Sequence, residues 1–355
     1  MRLITVEQTE HLLPIGDAIA VLEQAYRDLG QGRAVYRPRS DLVVPRSPGR
    51  DYWLSTMEGA LLDPPVAAIR LRSDVYEERE VGGQRSATKW AHQPGQFCGL
   101  VLLYHLDTAE PLALLQDGYL QLARVAATSA VAAKYLARPD SHVLGLVGAG
   151  WQARMHARAL AAVLPLTTIK VYARRPKAAA NFAGELEGTL GIPVSPVPTA
   201  QAAVQGSDVV ATCTTAQSPV VDLDWLEPGT HLTSIRYYRE IEHRPPRRVD
   251  RHVVHPREYG WHAYRPSSSV TGRQATEAVD LYAGSALPND AVPLEEVVAG
   301  HAPGRTHAGE ITVFNNHAGM GIQFAALGAV VWTRATTQGI GRELPLDWFL
   351  QNVTT

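Results

Sequence analysis

One stretch constrains the fold of this chain more than any other: Ser141 to Arg175, SHVLGLVGAGWQARMHARALAAVLPLTTIKVYARR. An apolar run, Val143, Leu144, Leu146 and Val147, leads into Gly148-Ala149-Gly150. An alanine-rich helical pattern follows from Gln152 to Val163, then a second apolar run from Ile169 to Tyr172. Strand, glycine turn, helix and strand in that order form a βαβ unit, whose first turn cradles a dinucleotide pyrophosphate. Gly148 allows the tight turn and Gly150 a close backbone approach. The helix N-terminus offers free N–H groups and the positive end of its dipole. Ala153 fills the third, small position of the fingerprint.

The second strand ends in Ala173-Arg174-Arg175, where an acid would accept the ribose hydroxyls of NAD. A guanidinium there suits a 2′-phosphate instead, so the expected cofactor is NADP, with NAD possible. The neighbouring strand ends, Thr212, Thr214 and Ile235, complete a set with Gly148, Ala149, Gly150, Gln152, Ala153, Arg174 and Arg175.

The chain has 355 residues, enough for two domains, and a formal net charge of -2, which offers no footprint for nucleic acid. Two cysteines, Cys98 and Cys213, suit a reducing, cytoplasmic setting. The N-terminus lacks the apolar core of a signal peptide. The longest apolar run, around Ala325 to Trp332, is too short for a membrane span. Ile15 to Gly30 reads as a helix, and Asp41–Pro45, Tyr52–Thr56 and Val66–Ser73 as strands. Asp74 to Gly95 is polar and reads as a loop or flap. Gly99–Asp107 and Pro111–Gln116 read as paired strands, and Ala123–Leu136 as a helix. Helix and strand alternate again from Lys177 to Val254, and a long helix is expected from Gly319. The expected class is therefore α/β. A Rossmann-type doubly wound parallel sheet in residues 123–315 is inserted into an α+β substrate-binding and dimerisation domain of residues 1–122 and 316–355.

With these motifs in hand, the chain resembles the ornithine cyclodeaminase/μ-crystallin family. The likeness lies in Arg124-Val125-Ala126-Ala127-Thr128-Ser129-Ala130, Lys134-Tyr135-Leu136, Gly148-Ala149-Gly150-Trp151-Gln152-Ala153, Thr212-Cys213-Thr214, and Glu310-Ile311-Thr312-Val313-Phe314 ahead of Gly319 and Gln323. The resemblance implies a homodimer whose second domain builds the substrate cleft and the dimer contact. It also implies imine chemistry: ketimine reduction, exchange of amino and 2-oxo acids, or cyclisation of ornithine or lysine with loss of ammonia. Hydride moves between nicotinamide and the α-carbon of a small amino or imino acid, while cationic side chains hold the carboxylate.

Carried over residue by residue, Arg124 matches the family's carboxylate-binding arginine. Arg39 matches a second, with Arg37 a close competitor. Arg70 falls where family members carry a lysine, and Arg72 shares its face through strand alternation. Arginine binds a carboxylate but does not shuttle protons. Asp74 is a replacement acid or a capping residue. Tyr238 stands where cyclodeaminases hold the substrate amine with an aspartate, which disfavours cyclodeamination unless Glu240 takes that part. His317 lies at the cleft-facing strand-to-helix turn, an acid candidate near neutral pH. The candidate acids are thus Tyr238, Asp74 and His317, and the substrate ligands Arg39, Arg70, Arg72 and Arg124. Lys89 and His92 lie in the polar flap and are placed to cover the cleft. The scattered histidines lack ligand spacing, so no metal is expected. The leading expectation is an NAD(P)-dependent imino acid reductase or amino acid dehydrogenase. A cyclodeaminase and a cofactor-bound binding protein are the alternatives.

Overall fold

The computed structural model describes residues 1–81, 84–242, 249–255, 262–265, 277–280 and 290–353. Strands with continuous apolar runs assemble into one parallel sheet, in the order Val194–Pro196, Thr168–Tyr172, Val143–Val147, Val209–Thr212, His231–Ser234, Thr312–Asn316, Arg251–His255, Val292–Pro293. Every adjacent pair is parallel. Such strands are covered on both faces, which is why Val209–Thr212 is buried throughout. The strand order reverses between Val143–Val147 and Val209–Thr212, where Val147 pairs with Thr212. A crevice at such a switch point is where open α/β sheets bind ligands.

The second sheet is mixed and mostly antiparallel. Its order is Glu277–Asp280, His262–Arg265, Ala34–Ser47, Arg50–Leu61, Val66–Val81, Cys98–His105, Pro111–Gln116, Arg2–Ile4, Arg342–Glu343, with Gln84–Trp90 paired to the far end of Val66–Val81. Two expectations change here. The polar interval from Asp74 is not a loop. Val66–Val81 runs on and folds back as Gln84–Trp90, with Tyr76 opposite Lys89. Backbone pairing of the two strands, from Val75 opposite Trp90 to Val81 opposite Gln84, sets the structure here, not the mean polarity. The domain division is also less clean than expected. His262–Arg265 lies within 123–315 yet pairs with Ser40–Leu42 of the mixed sheet.

The helix Gly118–Leu136 starts five residues before the expected Ala123 and joins the two sheets. Its alanines, including Ala123, Ala126, Ala127 and Ala130, are fully buried, so helices Ile15–Gly30 and Trp151–Ala161 pack closely on it. The helix Gly321–Gln338 lies across strands Arg50–Leu61 and Val66–Val81. That approach is backbone to backbone: a Cβ at Gly321 would sit 1.9 Å from the Glu58 carbonyl carbon, and one at Gly59 2.2 Å from the Ile322 nitrogen. Among the described residues no helix is long and apolar enough to cross a membrane.

Gly321→Ala should therefore lower the melting temperature by several degrees, since neither backbone can yield without moving the helix. Gly188→Ala, in the open interior of helix Pro176–Leu190, should stabilise by up to about 1 kcal/mol. Thermal melts of the two variants beside the unsubstituted protein check the contrast; equal melting temperatures would contradict it.

Candidate active site

The crevice at the switch point is built by the glycine turn. Gly148 has φ +118°, and a Cβ there would lie 2.4 Å from the Cys213 carbonyl oxygen. Only glycine satisfies both conditions. Gly150 caps helix Trp151–Ala161 without any side-chain hydrogen bond, and a Cβ on it would meet nothing within 4 Å. The first turn of that helix thus faces open space with its N–H groups unspent, as a pyrophosphate needs. Ala149 flanks the turn, and Ala153 is fully buried where the helix sits on the sheet. The Gln152 Oε1 is buried without a hydrogen bond. Arg174 and Arg175 are exposed at the end of the second strand, beside the turn, where the Gly148 N–H donates to the Tyr172 carbonyl at 2.8 Å. These residues fit a dinucleotide, with two cations at the edge that carries the adenosine ribose.

The next strand ends behave differently from expectation. Thr212 and Thr214 donate their hydroxyls to Glu240, each at 2.7 Å. Glu240 is fully buried and also accepts from the Thr214 N–H, the Ser234 hydroxyl and the Arg236 N–H. The two threonines therefore fix the loops beside the crevice and have no donor left for a cofactor. Ile235 packs partly buried against the same core. The five-donor commitment also removes Glu240 as a holder of a substrate amine.

The arginines expected to hold a substrate carboxylate on the mixed sheet lie together on one face of it. Arg70, Arg72, Asp74 and Tyr76 alternate along one strand and share that face. Cross-strand register adds Ser55 opposite Arg72, Trp53 opposite Asp74, and Asp41 opposite Ser55. Most of the arginines have acids. Arg39 grips Asp41 with two bonds, 2.8 and 2.9 Å, and reaches Ser55 at 3.1 Å. The Nε and Nη2 of Arg70 both lie 2.6 Å from one oxygen of Asp117. Arg72 places its Nε 2.7 Å from Asp74 and donates to Ser55. The Arg72 and Asp74 groups are close but poorly aligned, so both oxygens of the buried Asp74 lack a hydrogen bond.

Arg124 is the exception. It is buried, its Nε reaches Gln121 at 3.2 Å, and its Nη1 reaches the Ala318 carbonyl at 3.3 Å. Among the described residues no carboxylate lies within ion-pair distance of it. Its guanidinium stands over the Phe324 ring at 5.9 Å, with Arg70 over the same ring at 5.3 Å. Gly319 has no side chain because one would strike the guanidinium, 2.9 Å from Nη1. Burial, then the charges of Arg70 and Arg39, push Arg124 down to about 9. A substrate carboxylate would supply the missing counter-charge.

The three acid candidates divide. His317 is held neutral: burial, then Arg236, Arg39 and Arg239, push its imidazolium down to about 3. The expectation of an acid near neutral pH is therefore not met. Its ring meets Tyr238 edge-on at 5.5 Å, so these two stand together. Tyr238 is half-exposed and also meets Tyr237 edge-on at 5.6 Å. Asp74 is tied to Arg72. Sequence reasoning missed Asp41 and Asp117 altogether. The Arg39-x-Asp41 spacing was a usable signal, since residues two apart in a strand share a face. Asp117 had none, because only the tertiary fold brings it to Arg70.

Comparisons with known proteins establish the family. The family model described as ornithine cyclodeaminase/mu-crystallin family matches residues 3–339. The chain belongs to that family. A Δ1-pyrroline-2-carboxylate reductase of Bacillus cereus is 29% identical over 355 residues, covering 97% of this chain and 99% of that protein. The solved structure of a Thermococcus litoralis Δ1-pyrroline-2-carboxylate reductase, with NADH and L-proline, is 26% identical with a TM-score of 0.76, covering 97% and 100% of the two chains. An archaeal alanine dehydrogenase dimer with bound NAD is 25% identical with a TM-score of 0.74, covering 97% and 99%.

Four buried histidines give the fold a pH signature. Burial pushes His156 down to about 4, and burial with neighbouring arginines pushes His231, His255 and His317 down to about 3. Unfolded histidines take protons near pH 6.5, whereas these stay neutral in the fold. Their contribution is whole above pH 6.5 and is lost as pH falls toward 4, at about 1.4 kcal/mol per pH unit for each. Urea unfolding followed across that window should show a steep fall in stability before most carboxylates titrate; a flat profile would contradict it.

Proposed function

We propose that this chain is a nicotinamide-dependent oxidoreductase acting on a C=N or C–N bond next to a carboxylate: an imino acid reductase or, in reverse, an amino acid dehydrogenase. The observation that carries this reading is Arg124, a buried cation with no acid on it among the described residues, set among arginines that have theirs. A site in that state is short of one anion, and an α-carboxylate supplies it. The relatives whose names are those of imino and amino acid oxidoreductases support the same reaction class.

The nicotinamide supplies hydride chemistry when bound, and the rest falls to the protein. Gly148, Gly150 and the helix start at Trp151 would hold the pyrophosphate. Arg124, with Arg70, Arg72 and Arg39 beside it, would fix the carboxylate and so the α-carbon. The same reading takes NADPH as the preferred cofactor, from Arg174 and Arg175. It takes the protein as a cytoplasmic homodimer, supported by two unpaired cysteines and by the dimeric archaeal relative.

Replacing Arg124 by Ala should leave nucleotide binding nearly intact and cut kcat/KM by about 2–5 kcal/mol of transition-state stabilisation, the usual cost of orphaning a desolvated charge. Steady-state kinetics on imino acids and their amino acid products test this. Unaltered kinetics in Arg124→Ala would place the carboxylate elsewhere.

Fluorescence titration should find NADPH bound more tightly than NADH. Changing Arg174 and Arg175 together to Ser should narrow the gap by weakening NADPH alone. Equal affinities in the unsubstituted protein would remove the basis for the preference.

A further inference from the structure

The ribbon Gln84–Trp90 brings a lysine to the arginine face. Lys89 pairs in register with Tyr76, so its side chain leaves the sheet on the side that carries Arg70, Arg72 and Asp74. Its Nζ stands 5.6 Å from the Trp53 ring and 5.9 Å from the Tyr76 ring, partly buried between them. The charged groups that act on it come from two other strands: Arg72 and Asp74 from Val66–Val81, and Arg39 and Asp41 from Ala34–Ser47. The other groups at this face cannot give up a proton near neutral pH. The arginines stay charged. His317 is already neutral, and Asp74 serves Arg72.

We propose that Lys89 is the proton donor to the substrate nitrogen, held for that task by the Trp53–Tyr76 ring pair and the Arg72–Asp74 pair. This rests on the reductase reading above. In the reduction the imine carbon gains a hydride from the dihydronicotinamide, which is oxidised. The C=N π pair becomes a lone pair on nitrogen, and nitrogen takes the proton that leaves Lys89 Nζ. The neutral lysine then recovers a proton from water. Amine oxidation runs the same step backwards, with neutral Lys89 accepting the proton. Burial first, then the positive charges of Arg72 and Arg39, push the ammonium down to about 7, against the pull of Asp74 and Asp41. That places the group where proton transfer works in either direction.

The test uses the full chain and its Lys89→Met and Lys89→Arg variants. Reductive kcat of the unsubstituted enzyme should be flat below about pH 7 and fall tenfold per unit above it, and the oxidative direction should mirror this. Both variants should lose that limb and about 10²-fold in kcat, the usual share of a positioned acid. Arg keeps the charge and not the transferable proton, so Lys89→Arg should hold KM within a few-fold. Melting temperature and NADPH titration confirm that the variants fold. A second readout needs no turnover: competitive acetylation with acetic anhydride, followed by peptide mass spectrometry, should find Lys89 half-reactive near pH 7, about three units below an ordinary lysine. A Lys89→Arg enzyme that keeps kcat and the pH limb overturns the proposal, as does reactivity at Lys89 like that of an ordinary lysine. Loss of the limb in Tyr238→Phe, with Lys89→Arg unaffected, gives the proton to Tyr238 instead. An unsubstituted protein that oxidises NADPH with no imino acid sinks the reductase reading itself, and that outcome is visible in the unsubstituted rate alone.

Discussion

The site depends on keeping the Arg124 guanidinium buried without an anion of its own. Several features combine to make this tolerable. Gln121 and the Ala318 carbonyl accept its hydrogen bonds, Phe324 offers the face of its ring, and Gly319 leaves the room. None of these neutralises the charge. Asp117, whose charge acts on Arg124, has both of its short contacts from Arg70. Gly99 lacks a side chain because Asp117 occupies that space, at 2.0 Å from where a Cβ would be. The fold thus assigns each acid to a particular arginine and leaves one arginine over. A desolvated cation already in place loses little on meeting a carboxylate, because its dehydration happened during folding.

Holding that arrangement between two sheets takes a rigid joint, and the joint is polar as well as packed. The helix Gly118–Leu136 carries Arg124 on one face, and Thr128 and Ser129 further along. Asn316, at the end of a parallel strand, donates to the Val125 carbonyl and to Ser129, and Ser129 also meets His156 and Thr233. Gln323, in the first turn of helix Gly321–Gln338, donates to Tyr26 and Thr128, and Tyr26 meets His255, whose other nitrogen meets the Ala318 carbonyl. A buried network with this many satisfied members has one good arrangement. It ends at Ala318, the same carbonyl that receives Arg124. These side chains tie helix Gly118–Leu136 to the parallel sheet on one side and to helix Gly321–Gln338 on the other.

Much of this was legible in the sequence because the relevant signals are local. The glycine turn, its flanking strands and the small residue at 153 announce a βαβ unit within a few dozen residues. The Arg70-x-Arg72-x-Asp74 alternation announces a shared face. What escaped was set by distance along the chain. Asp117 meets Arg70 from 47 residues away. Glu240 looked like a free acid near the cleft because nothing local reveals that Thr212 and Thr214, 28 and 26 residues earlier, point at it. His317 reads as an acid near neutral pH from its place at the strand-to-helix turn, but the burial that keeps it unprotonated, and then the arginines that add to it, come from the tertiary fold. The ribbon was missed for a different reason. High polarity suits a loop and a solvated hairpin equally, and only the backbone pairing of Val66–Val81 with Gln84–Trp90 separates the two.

The ribbon also bears on which reaction the site favours. By the family resemblance, Arg70 falls at the family's lysine position and Tyr238 at that of the cyclodeaminase aspartate. Taken singly, the first exchange removes a proton carrier and the second removes an anion. Lys89 restores an amine to the same face of the sheet from a different strand, so proton traffic survives. Among the described residues no comparable restoration occurs for the anion: Glu240 is spent on five donors, and Asp74 sits against Arg72. A substrate with a distal ammonium would have to leave that charge desolvated beside a cluster that is already cationic, which costs several kcal/mol. A substrate with a carboxylate and an uncharged or apolar side chain meets no such penalty. The electrostatics therefore favour hydride transfer at the α-carbon of a simple imino acid over closing a ring on a diamino acid.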